Sequence, residues 1–281
     1  MRDEERVLRE HPGDVLMPAN PFDSAAGQFW HMIDTRDYMR GRFGVVQSLL
    51  ALNRSAAVGK ALDHLLDMLG LNRSDNLEIR YIVPALFLRL GRDQECYDFM
   101  KWWTTVDRHH DYIDLPYLNV HNADVLEPPC DFCNGWSGIG HTVPLALVKI
   151  RLLHIQAMDN ATMAIGPVVP QEILDQVRRE ITGSDAIPSS LVCQRNLAPA
   201  MATLRGQITQ LFGAVDGDNK HFWPMLVNPG SNLTSMPFTY SLGSVQEAQM
   251  ILKHNHPSWT ETPGPIAFIR ELRRHCEGVC D

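Results

Sequence analysis

Two cysteines at the spacing of a metal-binding pair are the first chemically suggestive feature of this sequence. Cys130 and Cys133 are separated by two residues, which lets both thiolates reach one zinc ion. His141 and the pair Cys276 and Cys280 could supply further ligands if the fold brings them close. A structural zinc site usually has two tightly spaced pairs, so free thiols are the favoured interpretation, and we expect no cofactor.

The segment His109-His110-Asp111 is the second chemical candidate. Imidazole titrates near neutral pH and a carboxylate can fix its tautomer, so this segment could provide a general base or part of a metal site. The chain has no Gly-x-Ser-x-Gly, no His-Glu-x-x-His and no phosphate-binding glycine loop. A solvated loop is therefore favoured, and an enzyme or zinc-binding protein that uses His109, His110, Cys130 and Cys133 is the alternative.

Composition excludes several classes of protein. The chain has 281 residues, of which 44% are hydrophobic and 21% are charged, as in a globular protein with a buried core. Its net charge of −8 gives no electrostatic footprint for nucleic acid or for an anionic membrane. The polar start of the chain lacks the apolar core of a secretory signal, and no apolar run is long enough to span a membrane. We therefore expect a cytoplasmic protein, with a nuclear location left open.

The spacing of apolar residues predicts helices along most of the chain. Leu62, Leu65 and Leu69 fall on one helical face, while Asp63 and Asp67 fall on the other. Comparable patterns occur at 171–182, 201–211, 245–252 and 266–272, and a helix that is apolar nearly all round, and therefore expected to be buried, is predicted at 145–158. Because no strand alternation is sustained, the predicted class is all-α.

One helix start and one helix end are predicted from short motifs. Asp75 and Glu78 have the spacing of a capping box, so a helix is expected to begin there and to continue to Gly91. Pro84 would remove one hydrogen bond inside that helix and bend it. Gly91 is expected to adopt a left-handed conformation just after the helix.

The pattern divides the chain into an arm and one domain. Residues 1–27 combine a charged start with several prolines and predict an irregular N-terminal arm. Residues 28–275 form a single helical-repeat domain in this interpretation, interrupted by a long irregular insertion at 104–142 and completed by further helices at 143–275. A connection of that length inside a compact domain is typical of a functional loop or an insertion.

The first part of the domain contains an internal sequence repeat. Val45 aligns with Val83 at an offset of 38 residues, and Leu65 aligns with Met100 at an offset of 35. A longer turn after Asn53 absorbs the difference. Two helix-turn-helix units, at about 38–73 and 76–106, therefore repeat with a period close to the roughly 34 residues of tetratricopeptide repeats, and such units must stack to bury their apolar faces.

Several segments also carry a resemblance to a known family. They are Asp34–Arg42, Leu71–Tyr81, Leu90–Cys96, Tyr240–Ala248 and Trp259–Gly264. These segments resemble an uncharacterised branch of tetratricopeptide-repeat-like helical proteins of bacteria and fungi, over roughly residues 30 to 272. Some fungal relatives carry a MYND-type zinc finger, whose cysteine density is not evident here. The resemblance implies an α-solenoid of stacked helical hairpins, although Arg73 stands where such repeats usually end in proline.

In similar proteins the first helix of each pair lines a concave groove. The positions predicted to face it are Arg40, Phe43, Gln47 and Leu50 in the first unit, and Glu78, Tyr81, Ala85 and Leu88 in the second. Such a mixture of polar and apolar side chains suits a peptide or a helix, and the alternative is that Phe43, Leu50 and Leu88 belong to the core. We therefore expect a protein-protein interaction or scaffold module, with Arg40, Gln47, Glu78 and Tyr81 as binding residues and a protein or peptide as the partner.

Overall fold

The computed structural model describes residues 2–106, 116–133, 138–165, 170, 172–173, 198–237 and 239–277. These residues form α-helices that are numbered here in chain order: α1 Arg2–Arg9, α2 Pro21–Ser24, α3 Ile33–Ala51, α4 Ser55–Leu71, α5 Val83–Arg89, α6 Asp93–Val106, α7 Ile139–Ile165, α8 Ala198–Asp218, α9 Phe222–Val227, α10 Val245–Glu261 and α11 Pro265–Glu277. The predicted all-α class is confirmed for this part of the chain, which contains no strand and one isolated β-bridge. None of the described helices is long and apolar enough to cross a bilayer.

The helices of the predicted repeat units lie side by side. The chain packs α3 on α4, α4 on α5 and α5 on α6. In α4 the predicted amphipathic pattern is confirmed, because Leu62, Leu65 and Leu69 are fully buried while Asp63 and Asp67 are exposed. The solenoid arrangement of these pairs remains a prediction.

The segment before α5 differs from the predicted capping box. The Asp75 carboxylate accepts backbone hydrogen bonds from Ile79 at 2.8 Å and from Arg80 at 3.0 Å, and so it organises a 3₁₀ turn at Ile79–Tyr81. Glu78 does not reach back to cap the chain, since its carboxylate accepts a hydrogen bond from the Tyr240 hydroxyl at 2.7 Å. The predicted helix start at Asp75 is therefore wrong, because a side chain can close a short turn as well as it can cap an α-helix.

The helix α5 is short and begins at Val83. Pro84 lies in its first turn, where a missing N–H costs no intrahelical bond, and so the predicted bend does not occur. Gly91 has a φ of +68°, which confirms the left-handed residue predicted after this helix. Helices α4, α6, α7 and α10 all pack against α5. Ala85 and Leu88 are buried in consequence, so Ala85 does not face an open groove, and Leu88 belongs to the core, which was the alternative for this residue.

Part of the predicted irregular arm is helical. Helix α1 contacts α2 and α3, and its Leu8 side chain is buried in the core. Arg9 forms a 3.0 Å ion pair with Glu5, and its guanidinium lies 4.2 Å from the centre of the Phe22 ring. Such i,i+4 pairs stabilise a short helix only modestly, so the contact of Leu8 with the core supplies the additional stability.

The predicted insertion is ordered where the structure describes it. Residues 116–133 are largely irregular, with one 3₁₀ turn at Pro129–Phe132, and α7 begins at Ile139. The buried ammonium of Lys149 on α7 donates to the carbonyl oxygens of Val125 at 2.8 Å and Glu127 at 2.9 Å, and to the side chain of Gln207 at 2.7 Å. Burial lowers the pKa of Lys149 to about 8, and these three acceptors use all the donors of its charged form. Lys149 therefore fixes the irregular segment 116–133 against α7 and α8.

A second buried cation on α7 joins three other parts of the chain. Arg151 donates to the Asp93 carboxylate at 2.6 Å, to the carbonyl oxygen of Leu88 at 3.0 Å and to the Thr262 hydroxyl at 2.7 Å. Arg151 and Asp93 are both almost fully buried. A buried ion pair is stabilising only when further hydrogen bonds satisfy its polar atoms, and the Leu88 and Thr262 oxygens do so for Arg151. The start of α6, the end of α5 and the end of α10 are thereby held together.

Candidate binding cleft

A cleft of about 400 Å³ opens beside the C-terminal end of α3. Side chains of α3, of the residues around α5, of α10 and of the segment before α10 line it. They are Gln47, Leu50, Ala51, Asn53, Ile82, Leu86, Arg89, Met236, Lys253, His254 and Pro257. This volume is within the range of roughly 300–1,000 Å³ that is typical of ligand sites.

Apolar side chains form one side of the cleft. Ile82 and Leu86 are buried and lie one helical turn apart, so both face the same direction. Leu50 of α3 and Pro257 of α10 are half-buried and stand beside them. Met236 is 72% exposed although it also borders the cleft. An apolar surface that remains open to water in this way is typical of a site for a partner or ligand.

Arg89 closes one end of the cleft. Its Nε atom donates to both carboxylate oxygens of Glu261 at 3.0 Å, and its Nη2 atom donates to Glu261 at 2.8 Å and to the Asn53 side chain. Bidentate pairing of this kind fixes the guanidinium and neutralises its charge. Arg89 therefore joins α5, the turn after α3 and the end of α10, and it shapes the cleft rather than offering a charge to a ligand.

Lys253 and His254 enter the cleft from α10. Ile251 and Leu252, the two preceding residues, are buried on the core side of the same helix. Burial, reinforced by the neighbouring Lys253 charge, lowers the pKa of His254 to about 4, so this imidazole is neutral at pH 7. Lys253 is half-buried, and none of the described carboxylates lies within ion-pair distance of its ammonium group. The cleft thus combines an apolar wall with one uncompensated positive charge.

The predicted binding residues of the first unit are only partly at this site. Gln47 and Leu50 line the cleft, and Gln47 is exposed. Arg40 is exposed on α3 but does not border the cleft, since its guanidinium pairs with Asp37 at 2.9 Å and lies 5.6 Å from the centre of the Trp30 ring. Of the two polar residues predicted on α3, the structure therefore brings one to the cleft.

Both predicted binding residues of the second unit are outside the cleft. Glu78 is exposed and bonded to Tyr240, as described above. Tyr81 is half-buried against α7, where its ring centre lies 5.2 Å from that of His141 and its edge lies close to Gly140. The contacts of Tyr81 are therefore those of a packing residue.

Cys130 and Cys133 do not belong to a metal site among the described residues. Cys130 is exposed and Cys133 is half-buried, and both are free thiols. Burial, with a smaller contribution from Cys130, raises the pKa of Cys133 to about 11, which disfavours the thiolate that binds metal or attacks a substrate. The described residues contain no group of three or more His, Cys, Asp or Glu side chains that could hold a metal ion. Of the C-terminal pair, Cys276 is exposed, and Cys280 lies outside the described residues.

The histidine candidates differ in what the structure shows of them. His109 and His110 lie outside the described residues. His141 is fully buried, and its Nε2 atom donates to the carbonyl oxygen of Arg80 at 3.2 Å. Burial, followed by the positive charge of Arg80, lowers the pKa of His141 to about 3. A histidine that is held neutral and packed against Tyr81 has a structural role here.

A second concavity of about 290 Å³ lies among α1, α2, α3 and α4, and it is polar. Arg42 forms an ion pair with Asp67 and donates to His64 Nδ1 at 3.3 Å. Arg9, on the opposite side, is paired with Glu5. Both arginines of this concavity already have acidic partners within its own walls, so the cleft at α10 is the stronger candidate for ligand binding.

The sequence reasoning missed Lys253 and His254 because it ended the helix too early. The helical pattern predicted at 245–252 stops just before these two residues, whereas α10 continues past Pro257 to Glu261. A signal for the longer helix exists in the sequence, since the buried positions of α10 follow helical spacing beyond Pro257. These positions are Ile251, Leu252, Asn255, Ser258 and Trp259. His254 therefore lies within the helix rather than beyond its end, and it is neutral at pH 7.

Comparison with known proteins gives no functional assignment. No family model matches the chain, and neither a curated protein nor a solved structure matches it. The resemblance to tetratricopeptide-repeat-like proteins therefore stays a prediction. Function has to be inferred from the geometry of the cleft.

Proposed function

We propose that this protein is an interaction module that binds a peptide or helical segment of another protein in the cleft between α3, α5 and α10. The observation that carries the proposal is the apolar wall of the cleft, where Leu50 is half-buried and Met236 is 72% exposed beside the buried Ile82 and Leu86. A segment that inserts one large apolar side chain there would cover surface that water now contacts. Burying a leucine-sized side chain contributes about 1.5–3 kcal/mol, which is enough to select such a segment.

The open wall favours a macromolecular partner over a small metabolite. Leu52, two residues beyond Leu50, is 62% exposed at the end of α3, and Met236 is 72% exposed. Apolar surface thus extends outside the cleft as well as into it, and a partner with an extended contact can cover both regions. The side-by-side helical pairs of α3 to α6 are compatible with a tetratricopeptide-like scaffold, which is the architectural part of this proposal.

The proposal is tested by selecting peptides on the purified protein. A random-sequence peptide library is displayed and enriched on the wild-type chain, and the dissociation constants of enriched peptides are then measured. We expect enriched peptides to contain a large apolar residue and to bind Leu50→Lys at least about tenfold more weakly than wild type. Ile33→Lys is the matched control, because it introduces the same charge on α3 at an apolar residue that is 75% exposed and does not line the cleft.

Two outcomes would contradict the proposal. One is a library from which no peptide is enriched. The other is a set of enriched peptides that bind Leu50→Lys as tightly as wild type. Circular dichroism and the melting temperature of each variant identify any loss that results from unfolding. If Leu50→Lys unfolds, Met236→Lys replaces it, because Met236 is mostly exposed and should tolerate a charge.

A further inference from the structure

Three basic side chains border the cleft, and they differ in the charge that they can offer. Arg89 is held by Glu261 through both carboxylate oxygens, so its charge is compensated within the protein. His254 is neutral at pH 7, because burial disfavours its charged form. Lys253 has no carboxylate within ion-pair distance among the described residues. The cleft therefore presents one uncompensated charge, at one position.

The position of that charge suits an anion that arrives together with an apolar group. Lys253 is half-buried, and it lines the same cleft as Leu50 and Leu86. Water screens a charge less effectively in a half-buried site than on an open surface. A carboxylate that is linked to the apolar group would therefore interact more strongly with the Lys253 ammonium here. A hydrogen bond to a charged group is also stronger than one between two neutral groups.

The structure also favours one source of carboxylate. Capture of a chain terminus typically uses several free backbone N–H groups that form a nest. Most residues that line the cleft lie inside α3, α5 and α10, where backbone N–H groups are used by the helices. A single ammonium group with no such nest around it suits the flexible side chain of aspartate or glutamate.

We propose that the segment bound in this cleft carries an acidic side chain next to its apolar anchor, and that Lys253 recognises it. The inference rests on the proposed function and specifies the chemistry of the partner. The apolar wall supplies contact area, and Lys253 selects among segments that present similar apolar residues. Lys253 is thus a specificity-determining residue of the cleft.

Charge exchange tests the inference. Peptides enriched on wild type should share an aspartate or glutamate at a fixed distance from the apolar residue. Lys253→Glu should bind such a peptide at least about tenfold more weakly, and a peptide in which that acid is replaced by lysine should recover affinity for Lys253→Glu. Lys60→Glu is the matched control, since Lys60 is exposed on α4 and outside the cleft, and it should bind as wild type does.

Failure of this inference can be distinguished from failure of the proposed function. If Leu50→Lys abolishes binding but Lys253→Glu does not weaken it, the cleft binds a partner and the inference about charge is wrong. If the peptides bind only with a free C-terminal carboxylate, and amidation abolishes binding, the acidic side chain is the wrong source. If Leu50→Lys has no effect on binding, the proposed function itself is wrong. Loss of binding by Lys253→Glu with rescue by the exchanged peptide supports both.

Discussion

Helices α7 and α10 both place cations in protected positions, but the surroundings of those cations differ. Lys149 and Arg151 of α7 are buried, and each donates to at least three oxygen atoms of other segments. Lys253 of α10 is half-buried in an apolar cleft and has no ion-pair partner among the described residues. The two cations of α7 therefore stabilise the fold, whereas the cation of α10 is able to bind a partner.

The physical reason is the free energy of removing a charge from water. A charge that is fully buried must find its hydrogen bonds within the protein, or the folded state is destabilised. Lys149 and Arg151 meet this condition by joining segments that are distant in sequence. Lys253 keeps part of its hydration, so the fold tolerates it without a partner, and a ligand can replace the remaining water. Whether the hydrogen-bond donors of a cation are satisfied within the protein therefore indicates its role better than its burial alone.

The largest effect is expected when a cation of α7 is removed. Arg151→Met leaves the buried Asp93 carboxylate without its guanidinium and deprives the Thr262 and Leu88 oxygens of a donor. Breaking a buried ion pair on one side typically costs about 3–5 kcal/mol. We expect a decrease of that size in the free energy of unfolding, measured by urea denaturation.

The matched control for this change is Arg92→Met. Arg92 also forms a 2.6 Å pair, with Glu95, but both side chains are substantially exposed to solvent. Exposed pairs contribute about 0–1 kcal/mol, so this variant should lose little stability. A loss of less than about 1 kcal/mol in Arg151→Met would contradict the structural role of α7, and the comparison with α10 would then have no basis.

A smaller effect is expected at the contact between α7 and the turn before α5. A Cβ atom on Gly140 would lie 2.2 Å from Cδ1 of Tyr81, so the ring would have to leave its place beside His141. Gly140→Ala should reduce the free energy of unfolding by about 1–3 kcal/mol, as overpacked cores do. Thermal and urea unfolding both measure this change.

Replacement of Gly213 in α8 is expected to have the opposite effect on stability from replacement of Gly140. A Cβ atom there would contact nothing within 4 Å, so Gly213→Ala should stabilise the chain by about 0.5–1 kcal/mol through helix propensity. Replacing Tyr81 by alanine should cost less stability in the Gly140→Ala background than in wild type, because it also removes the clash with the new Cβ atom. Equal effects of the two glycine variants would show that Tyr81 does not pack against α7 as described.

The sequence predicted local features of this fold better than it predicted contacts. Leu62, Leu65 and Leu69 were predicted on one face of a helix, and they are buried, because helical periodicity is a local property. Asp75 closes a 3₁₀ turn instead of capping a helix, and the sequence alone could not distinguish the two, since both place an acceptor near early N–H groups.

The candidate site was harder to predict for a physical reason. The apolar wall depends on α10 packing beside α5, a contact between segments more than 150 residues apart in the chain. Gln47 was predicted to bind a partner and does line the cleft, but no periodicity relates it to Lys253. The predicted pattern at 245–252 also stops just before Lys253, whereas the helix continues through Pro257 to Glu261 and buries Trp259.

The smallest effect on the free energy of unfolding is expected when Lys253 is replaced. This result is the most informative one for the comparison between α7 and α10. Lys253→Met keeps a long side chain in the cleft and removes only the charge. Because the ammonium has no ion-pair partner among the described residues, the free energy of unfolding should stay within about 0.5 kcal/mol of wild type or increase. The same replacement by methionine at Lys60, which is exposed on α4, gives the change in the free energy of unfolding that is expected for a cation without a structural role.

The same variant links stability to binding. Lys253→Met should bind an acidic peptide more weakly while melting at the temperature of wild type, which is the opposite of the pattern expected for Arg151→Met. A loss of more than about 1 kcal/mol in Lys253→Met would mean that the ammonium already has a partner within the protein. Lys253 would then belong with Lys149 and Arg151, and the cleft would offer a partner only its apolar wall.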